Sequence, residues 1–186
     1  MSHDNHCCGG AAYRAMPELI LGGARSGKSA LAERLAAESG LDVVYIATAT
    51  AGDAEMAGRI AHHRERRPAG WGLVEEPRHL AAALKGAAAP DRCLLVDCLT
   101  LWLNNVIADE ALYRQERAAL LEALPGLPGR VVLVSNEVGM GVVPLGELTR
   151  RYCDEAGRLH QELAQLCGRV IFVAAGLPLV LKGNPL

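Results

Sequence analysis

Short apolar runs and helix-forming stretches alternate along the chain. Leu19-Ile20-Leu21 predicts a first strand, and Lys28 to Ser39, rich in Ala, Leu, Glu and Arg, predicts a helix that Gly40 stops. Val43-Val44-Tyr45-Ile46-Ala47 is apolar and rich in β-branched residues, so it predicts a buried strand, ended by the hydroxyls of Thr48-Ala49-Thr50. Asp53 to Arg67 has helical composition and stops before Pro68, and Arg78 to Gly86 predicts a short helix. Cys93 to Cys98 predicts a third strand with an acid near its end, followed by a long, mostly helical segment to about Leu124. Pro125 to Gly129 is a turn, Val131 to Ser135 a fourth strand, Glu147 to Cys167 a helix, and Arg169 to Ala174 a final strand. This alternation predicts a doubly wound α/β domain with a largely parallel sheet, which binds its ligand at the C-terminal ends of the strands. Residues 1–17 read as a flexible leader and residues 18–186 as one catalytic domain, with no repeat or linker dividing it.

Composition narrows the partners. The chain of 186 residues is 51% hydrophobic but only 4% aromatic, a balance that suits Ala- and Leu-rich helices packed on a Val-rich sheet. A net charge of −2 gives no basic footprint for nucleic acid, and no Lys/Arg run addresses an anionic membrane. No apolar stretch approaches the roughly 20 residues that cross a bilayer, and no signal-peptide core is present, so the expectation is a cytoplasmic protein. The six cysteines lack framework spacing and are expected to stay reduced, with Cys93 and Cys98 as small core residues. The leader, His3-Asp4-Asn5-His6-Cys7-Cys8, is read as a tail rather than as a soft-metal site.

The chemistry begins where the first strand ends. Gly22-Gly23-Ala24-Arg25-Ser26-Gly27-Lys28-Ser29 is a complete G-x-x-x-x-G-K-[ST] phosphate loop, with a strand before it and a helix after it. Backbone N–H groups and the helix N-terminus face the phosphates, Lys28 supplies positive charge, and the Ser29 hydroxyl is the expected Mg²⁺ ligand. Arg25 reads equally as a phosphate contact or a solvent-facing side chain. Asp97, after Leu94-Leu95-Val96, stands where a second metal-holding acid belongs, and capping the next helix is compatible with that role.

A second cluster lies between Asp53 and Arg67. At about 100° per residue, Glu55, Arg59, His62 and Arg66 share one polar stripe, whereas His63 falls within about 20° of Met56. His62 is therefore the candidate nucleophile, with cations near it that oppose its protonation and attract phosphate. Asn136 to Pro144 follows the fourth strand with two glycines and Glu137, as a substrate-contacting loop would, although a plain crossover loop fits equally well. Glu75 and Glu76 read either as part of the nucleotide site or as exposed charges.

Taken together, G-G-A-R-S-G-K-S at 22–29, Y-I-A-T-A at 45–49, E-M-A-x-R-I-x-H-H at 55–63, R-P-A-x-W at 67–71, S-N-E-V-G-M-G-V-V-P at 135–144 and A-G-R-L-H-Q at 156–161 resemble one family. It is the bifunctional adenosylcobinamide kinase/adenosylcobinamide-phosphate guanylyltransferase family of cobalamin biosynthesis. The resemblance runs from Leu19 to Lys182. It implies a phosphate-loop fold, a homotrimer, Mg²⁺, and ATP and GTP as co-substrates. In that family a nucleoside triphosphate phosphorylates the hydroxyl of the corrinoid adenosylcobinamide. GTP then guanylylates a histidine, and GMP passes to adenosylcobinamide phosphate to give adenosylcobinamide-GDP. By position the guanylylated residue is His62. The implied nucleotide contacts are Gly22, Gly23, Ala24, Arg25, Ser26, Gly27, Lys28 and Ser29, then Thr48, Ala49, Thr50, His63, Arg64, Glu65, Arg66, Glu75 and Asp97, with Ser29 and Asp97 on the metal. The resemblance identifies no general base for the kinase step, and Glu137 is a candidate. A regulatory GTP switch is disfavoured because no N-K-x-D guanine-recognition motif occurs in the chain.

Overall fold

The computed structural model describes residues 16–50 and 68–186. The leader through residue 15 and the helix expected over Asp53–Arg67 lie outside the described residues. The described elements are strands β1 (Glu18–Gly22), β2 (Asp42–Ala47), β3 (Gly72–Glu75), β4 (Arg92–Asp97), β5 (Arg130–Asn136), β6 (Arg169–Ala174) and β7 (Leu177–Lys182). Between them run helices α1 (Lys28–Ala37), α2 (Leu80–Ala87), α3 (Leu99–Val106), α4 (Glu110–Ala123) and α5 (Glu147–Leu166). One sheet orders the strands β3-β2-β4-β5-β1-β6-β7, and every pairing is parallel except β6 with β7.

Two apolar clusters explain why the sheet is covered on both faces. Leu31, Ala32, Leu35 and Ala36 of α1 pack on Ile20, Tyr45, Leu95, Val132 and Ile171. On the other face Leu84, Trp102, Leu103, Leu120, Leu159 and Leu163 of α2 to α5 pack on Leu19, Ile46, Leu94, Val96 and Leu133. Neighbouring strand residues divide between the clusters because side chains alternate across a sheet. Burial on both faces is why β1, β4 and β5 are nearly continuous apolar runs. Cys93 and Cys98 sit in this core as expected, and the four cysteines among the described residues are free.

The sequence reading missed two strands and merged two helices. β3 is a four-residue edge strand whose side chains are mostly exposed, and β7 follows Ala174 through a two-residue turn, Ala175-Gly176, with positive φ at both positions. The predicted long helix breaks before Asp109, whose carboxylate accepts the Leu112 N–H at 3.0 Å and caps α4. Among the described residues no helix is long and apolar enough to cross a membrane.

At the N-terminal edge of the sheet, Glu18 of β1 is buried between two arginines. It accepts Arg130 Nε of β5 at 2.8 Å and Arg169 Nε of β6 at 2.8 Å, and Arg130 also donates to Leu35 O of α1 at 2.8 Å. Removing the carboxylate would leave two guanidiniums facing each other, only 17% and 19% exposed. Glu18→Ala is therefore expected to lower unfolding free energy by about 3 kcal/mol, the lower end for a broken buried pair because the arginines keep some solvent. Urea denaturation checks this, and an unchanged midpoint would refute it.

Candidate functional site: the phosphate loop and the C-terminal edge of the sheet

The loop folds as it does because two glycines remove steric obstacles. A Cβ on Gly22 would lie 2.4 Å from Val173 O and 2.5 Å from Ser26 Oγ, so any side chain there collides with β6 and with the loop itself. Gly27 has φ 97°, a conformation that strains any side-chain-bearing residue, and a Cβ there would sit tightly, 3.2 Å from the Gly176 Cα. Arg25 also takes a positive φ of 55°, an uncommon conformation for a side-chain-bearing residue, and its side chain is exposed. The loop is pinned from both neighbouring strands: the Glu137 N–H donates to Gly22 O at 3.0 Å, and the Gly176 N–H donates to Ser26 O at 2.8 Å.

Lys28, the first residue of α1, is buried, and its Nζ donates to Gly23 O at 3.0 Å, so the ammonium curls back over the loop. Burial lowers its pKa, while the neighbouring Asp97 and Cys98 pull the other way. Asp97 ends β4, and β5 lies between β4 and β1. Strands stand about 4.8 Å apart, so Asp97 and the start of the loop are about 10 Å apart along the sheet edge. Ser26 Oγ and Asp97 Oδ2 are buried and have no hydrogen-bond partner among the described residues. An unpaired carboxylate oxygen at this edge fits the donor set of Mg²⁺, which takes one or two carboxylates and completes its shell with waters and phosphates. No cluster of three or more metal-ligating His, Cys, Asp or Glu occurs among the described residues.

A chain of polar contacts fixes this edge. The buried Thr48 hydroxyl donates to Cys98 O at 2.7 Å and accepts the Cys98 N–H at 3.0 Å, tying the end of β2 to the end of β4. Its side chain is thus committed to backbone. The Cys98 thiol lies 3.0 Å from Thr100 Oγ1, and burial, reinforced by Asp97, pushes its pKa up to about 11, so it remains a thiol. Thr100 Oγ1 accepts Asn136 Nδ2 at 2.9 Å, which joins β5 to the network. Asn105 Nδ2 donates to Thr48 O at 2.8 Å and Pro77 O at 3.1 Å, and Thr50 Oγ1 donates to Asn105 Oδ1 at 3.3 Å. Thr100 and Asn105 escaped the sequence reading, and the only available signal was polar residues within the otherwise apolar stretch of α3.

The remaining candidates divide. Thr48, Ala49 and Thr50 lie at the end of β2, and Glu75 ends the neighbouring β3, four strands from β1 and so about 19 Å along the edge. Glu76 is structural: its Oε1 accepts the Arg78 and His79 N–H groups, both at 2.9 Å, just before α2. His62, His63, Arg64, Glu65 and Arg66 lie outside the described residues.

Fold and loop together define a phosphate-loop nucleotide-binding α/β protein. The chain matches the family described as cobinamide kinase / cobinamide phosphate guanyltransferase over residues 18–181. It is 66% identical over 173 residues, 92% of this chain and 100% of the relative, to the bifunctional adenosylcobalamin biosynthesis protein CobP of Pseudomonas aeruginosa. It is 39% identical over 179 residues, 88% of this chain and 98% of the relative, to the bifunctional adenosylcobalamin biosynthesis protein CobU of Escherichia coli. The crystal structure of the RadB recombinase is similar in fold alone, with a TM-score of 0.50 and 18% identity over 86% of this chain and 74% of that one. The chain belongs to the cobinamide kinase / cobinamide phosphate guanyltransferase family. It is a bifunctional transferase of adenosylcobalamin biosynthesis and uses nucleoside triphosphate.

Gly22→Ala tests the loop directly. At a hundredfold excess of ligand over Kd, GTP with Mg²⁺ is expected to stabilise the wild type by about 2.7 kcal/mol. The variant is expected to lose nearly all of that shift in a thermal melt, and a shift equal to the wild type's would show that the loop does not seat the phosphates.

Proposed function

We propose that both reactions run through one nucleotide seat at the C-terminal edge of the sheet, with His62 as the covalent carrier of GMP. The carrying observation is the complete loop at Gly22–Ser29, with Lys28 curled over it and the charge of Asp97, one of whose oxygens is unpaired among the described residues, acting on that lysine. The loop N–H groups hold the triphosphate, and Lys28 neutralises charge on the departing group. Ser29 and Asp97 are the residues to hold Mg²⁺. When bound, the ion supplies charge neutralisation of the phosphate oxygens. The nucleoside end lies toward Thr48, Ala49, Thr50 and Glu75, with His63, Arg64, Glu65 and Arg66 completing the contacts.

In the kinase step the corrinoid hydroxyl takes the γ-phosphoryl group of ATP or GTP. In the second step a ring nitrogen of His62 attacks the α-phosphorus of GTP, and the bond to the bridging oxygen breaks with its electron pair leaving on pyrophosphate. The phosphate of adenosylcobinamide phosphate then displaces the histidine, giving adenosylcobinamide-GDP. Splitting one transfer into two leaves the protein mainly positioning and charge stabilisation to supply. The same reading takes the working form as a cytoplasmic homotrimer. Leu177, Leu179 and Leu181, which line one exposed face of the edge strand β7, support an oligomer.

The test is labelling. Wild-type protein with Mg²⁺ and α-labelled GTP is expected to acquire an acid-labile, alkali-stable adduct, as is His63→Ala, while His62→Ala stays unlabelled. Labelling of His62→Ala at the wild-type level would move the nucleophile elsewhere, and an unlabelled wild type would defeat the guanylylated-histidine reading.

A further inference from the structure

Transfer of the γ-phosphoryl group to an alcohol needs an acceptor for the hydroxyl proton, and no residue placed so far fills that part. Glu137 follows directly after β5, and its N–H is bonded to Gly22 O, the first residue of the phosphate loop, at 3.0 Å. Its backbone is therefore fixed to the element that holds the phosphates. The carboxylate is held by a hydrogen bond at one oxygen and faces an imidazole with the other. Oε1 accepts the Gly139 N–H at 2.6 Å, and Oε2 stands 3.7 Å from His160 Nδ1 on α5.

His160 is the unusual member. It is 7% exposed, its Nε2 lies 2.7 Å from the fully buried Ser135 Oγ, and its Nδ1 is buried with no hydrogen-bond partner among the described residues. Burial lowers its pKa, which leaves a neutral ring with one donor nitrogen and one acceptor. If Nε2 held the proton, the Nδ1 lone pair would face a carboxylate. With Ser135 donating to Nε2, the proton sits on Nδ1 and points at Glu137, which is the electrostatically favoured arrangement. The 3.7 Å separation is longer than a hydrogen bond, so the two groups interact through charge and orientation. Beyond Glu137 the chain exposes Met140, Val142, Val143 and Leu145.

We propose that Glu137 is the proton acceptor of the kinase step and that the buried Ser135–His160 pair positions its carboxylate. The alcohol oxygen forms a bond to the γ-phosphorus, and the bond from that phosphorus to the β,γ-bridging oxygen breaks with its electron pair leaving on the nucleoside diphosphate. The hydroxyl proton passes to Glu137 Oε2 and from there to solvent. This rests on the kinase activity of the family and on the proposed seat for the triphosphate. The guanylylation of histidine requires no such acceptor, so the two half-reactions separate the role of Glu137 from that of the seat.

The test measures both half-reactions on each variant. With γ-labelled ATP and adenosylcobinamide, Glu137→Gln is expected to lose kinase kcat by about a hundredfold or more, with KM for ATP within about twofold, in the range that general-base catalysis supplies. Self-labelling from α-labelled GTP is expected to persist. Glu137→Asp should recover part of the kinase rate, and His160→Gln should lower kinase kcat about tenfold while labelling persists. Kinase kcat of Glu137→Gln within about threefold of wild type overturns the proposal. So does parallel loss of both half-reactions in a folded variant. Should Glu137→Gln not fold, the comparison passes to Glu137→Asp, where an unreduced kinase rate or equal loss of both half-reactions is the refuting result. Loss of labelling in the wild type would count against the seat and His62, not against Glu137.

Discussion

The architecture of the site depends on the absence of a side chain at Gly22. The end of β1 is enclosed by β5 on one side and β6 on the other, and the loop turns back through a space in which a single methyl group would touch a carbonyl oxygen at 2.4 Å. Because that space is empty, the loop carbonyls of Gly22 and Ser26 reach donors on the segments following β5 and β6. With those two carbonyls engaged, the loop is held by its acceptors while anion binding falls to its N–H groups.

Electrostatics follow from the same enclosure. Lys28 is placed at the start of α1 and buried by it, which disfavours its charge, and Asp97 partly offsets that cost from across β5. The ammonium donates to a loop carbonyl, and Asp97 has one oxygen without a partner among the described residues. Both groups are thus held at the same edge of the sheet, and in the proposed seat a metal–triphosphate would meet them at little reorganisation cost. Thr48, Thr100, Asn105 and Asn136 hold the strand ends that carry them, so the polar network acts as a frame for the charges.

Much of this was legible in the sequence because buried parallel strands leave a simple record. β1, β4 and β5 are apolar on both faces and read as runs, and the loop residues are dictated by local geometry that any chain with that motif must satisfy. β7 was invisible because its exposed leucines alternate on an antiparallel edge, a pattern that does not resemble the buried strands before it. β3 was invisible because four mostly exposed residues bury too little to leave a pattern. At the site, Lys28 and Asp97 announce themselves through spacing. Ser135 and His160 are 25 residues apart and meet only because α5 packs against the end of β5, a relation no local pattern encodes.

The turn between β6 and β7 gives the outer edge of the sheet a mechanical connection to the phosphates. Ala175 and Gly176 form a two-residue hairpin whose positive φ angles leave little slack, and the Gly176 N–H is the group that grips Ser26 O. The edge strand β7 and the phosphate loop are therefore joined by a connection only two residues long. The exposed leucines of that edge strand thus lie one tight hairpin away from the residues that shape the phosphate loop.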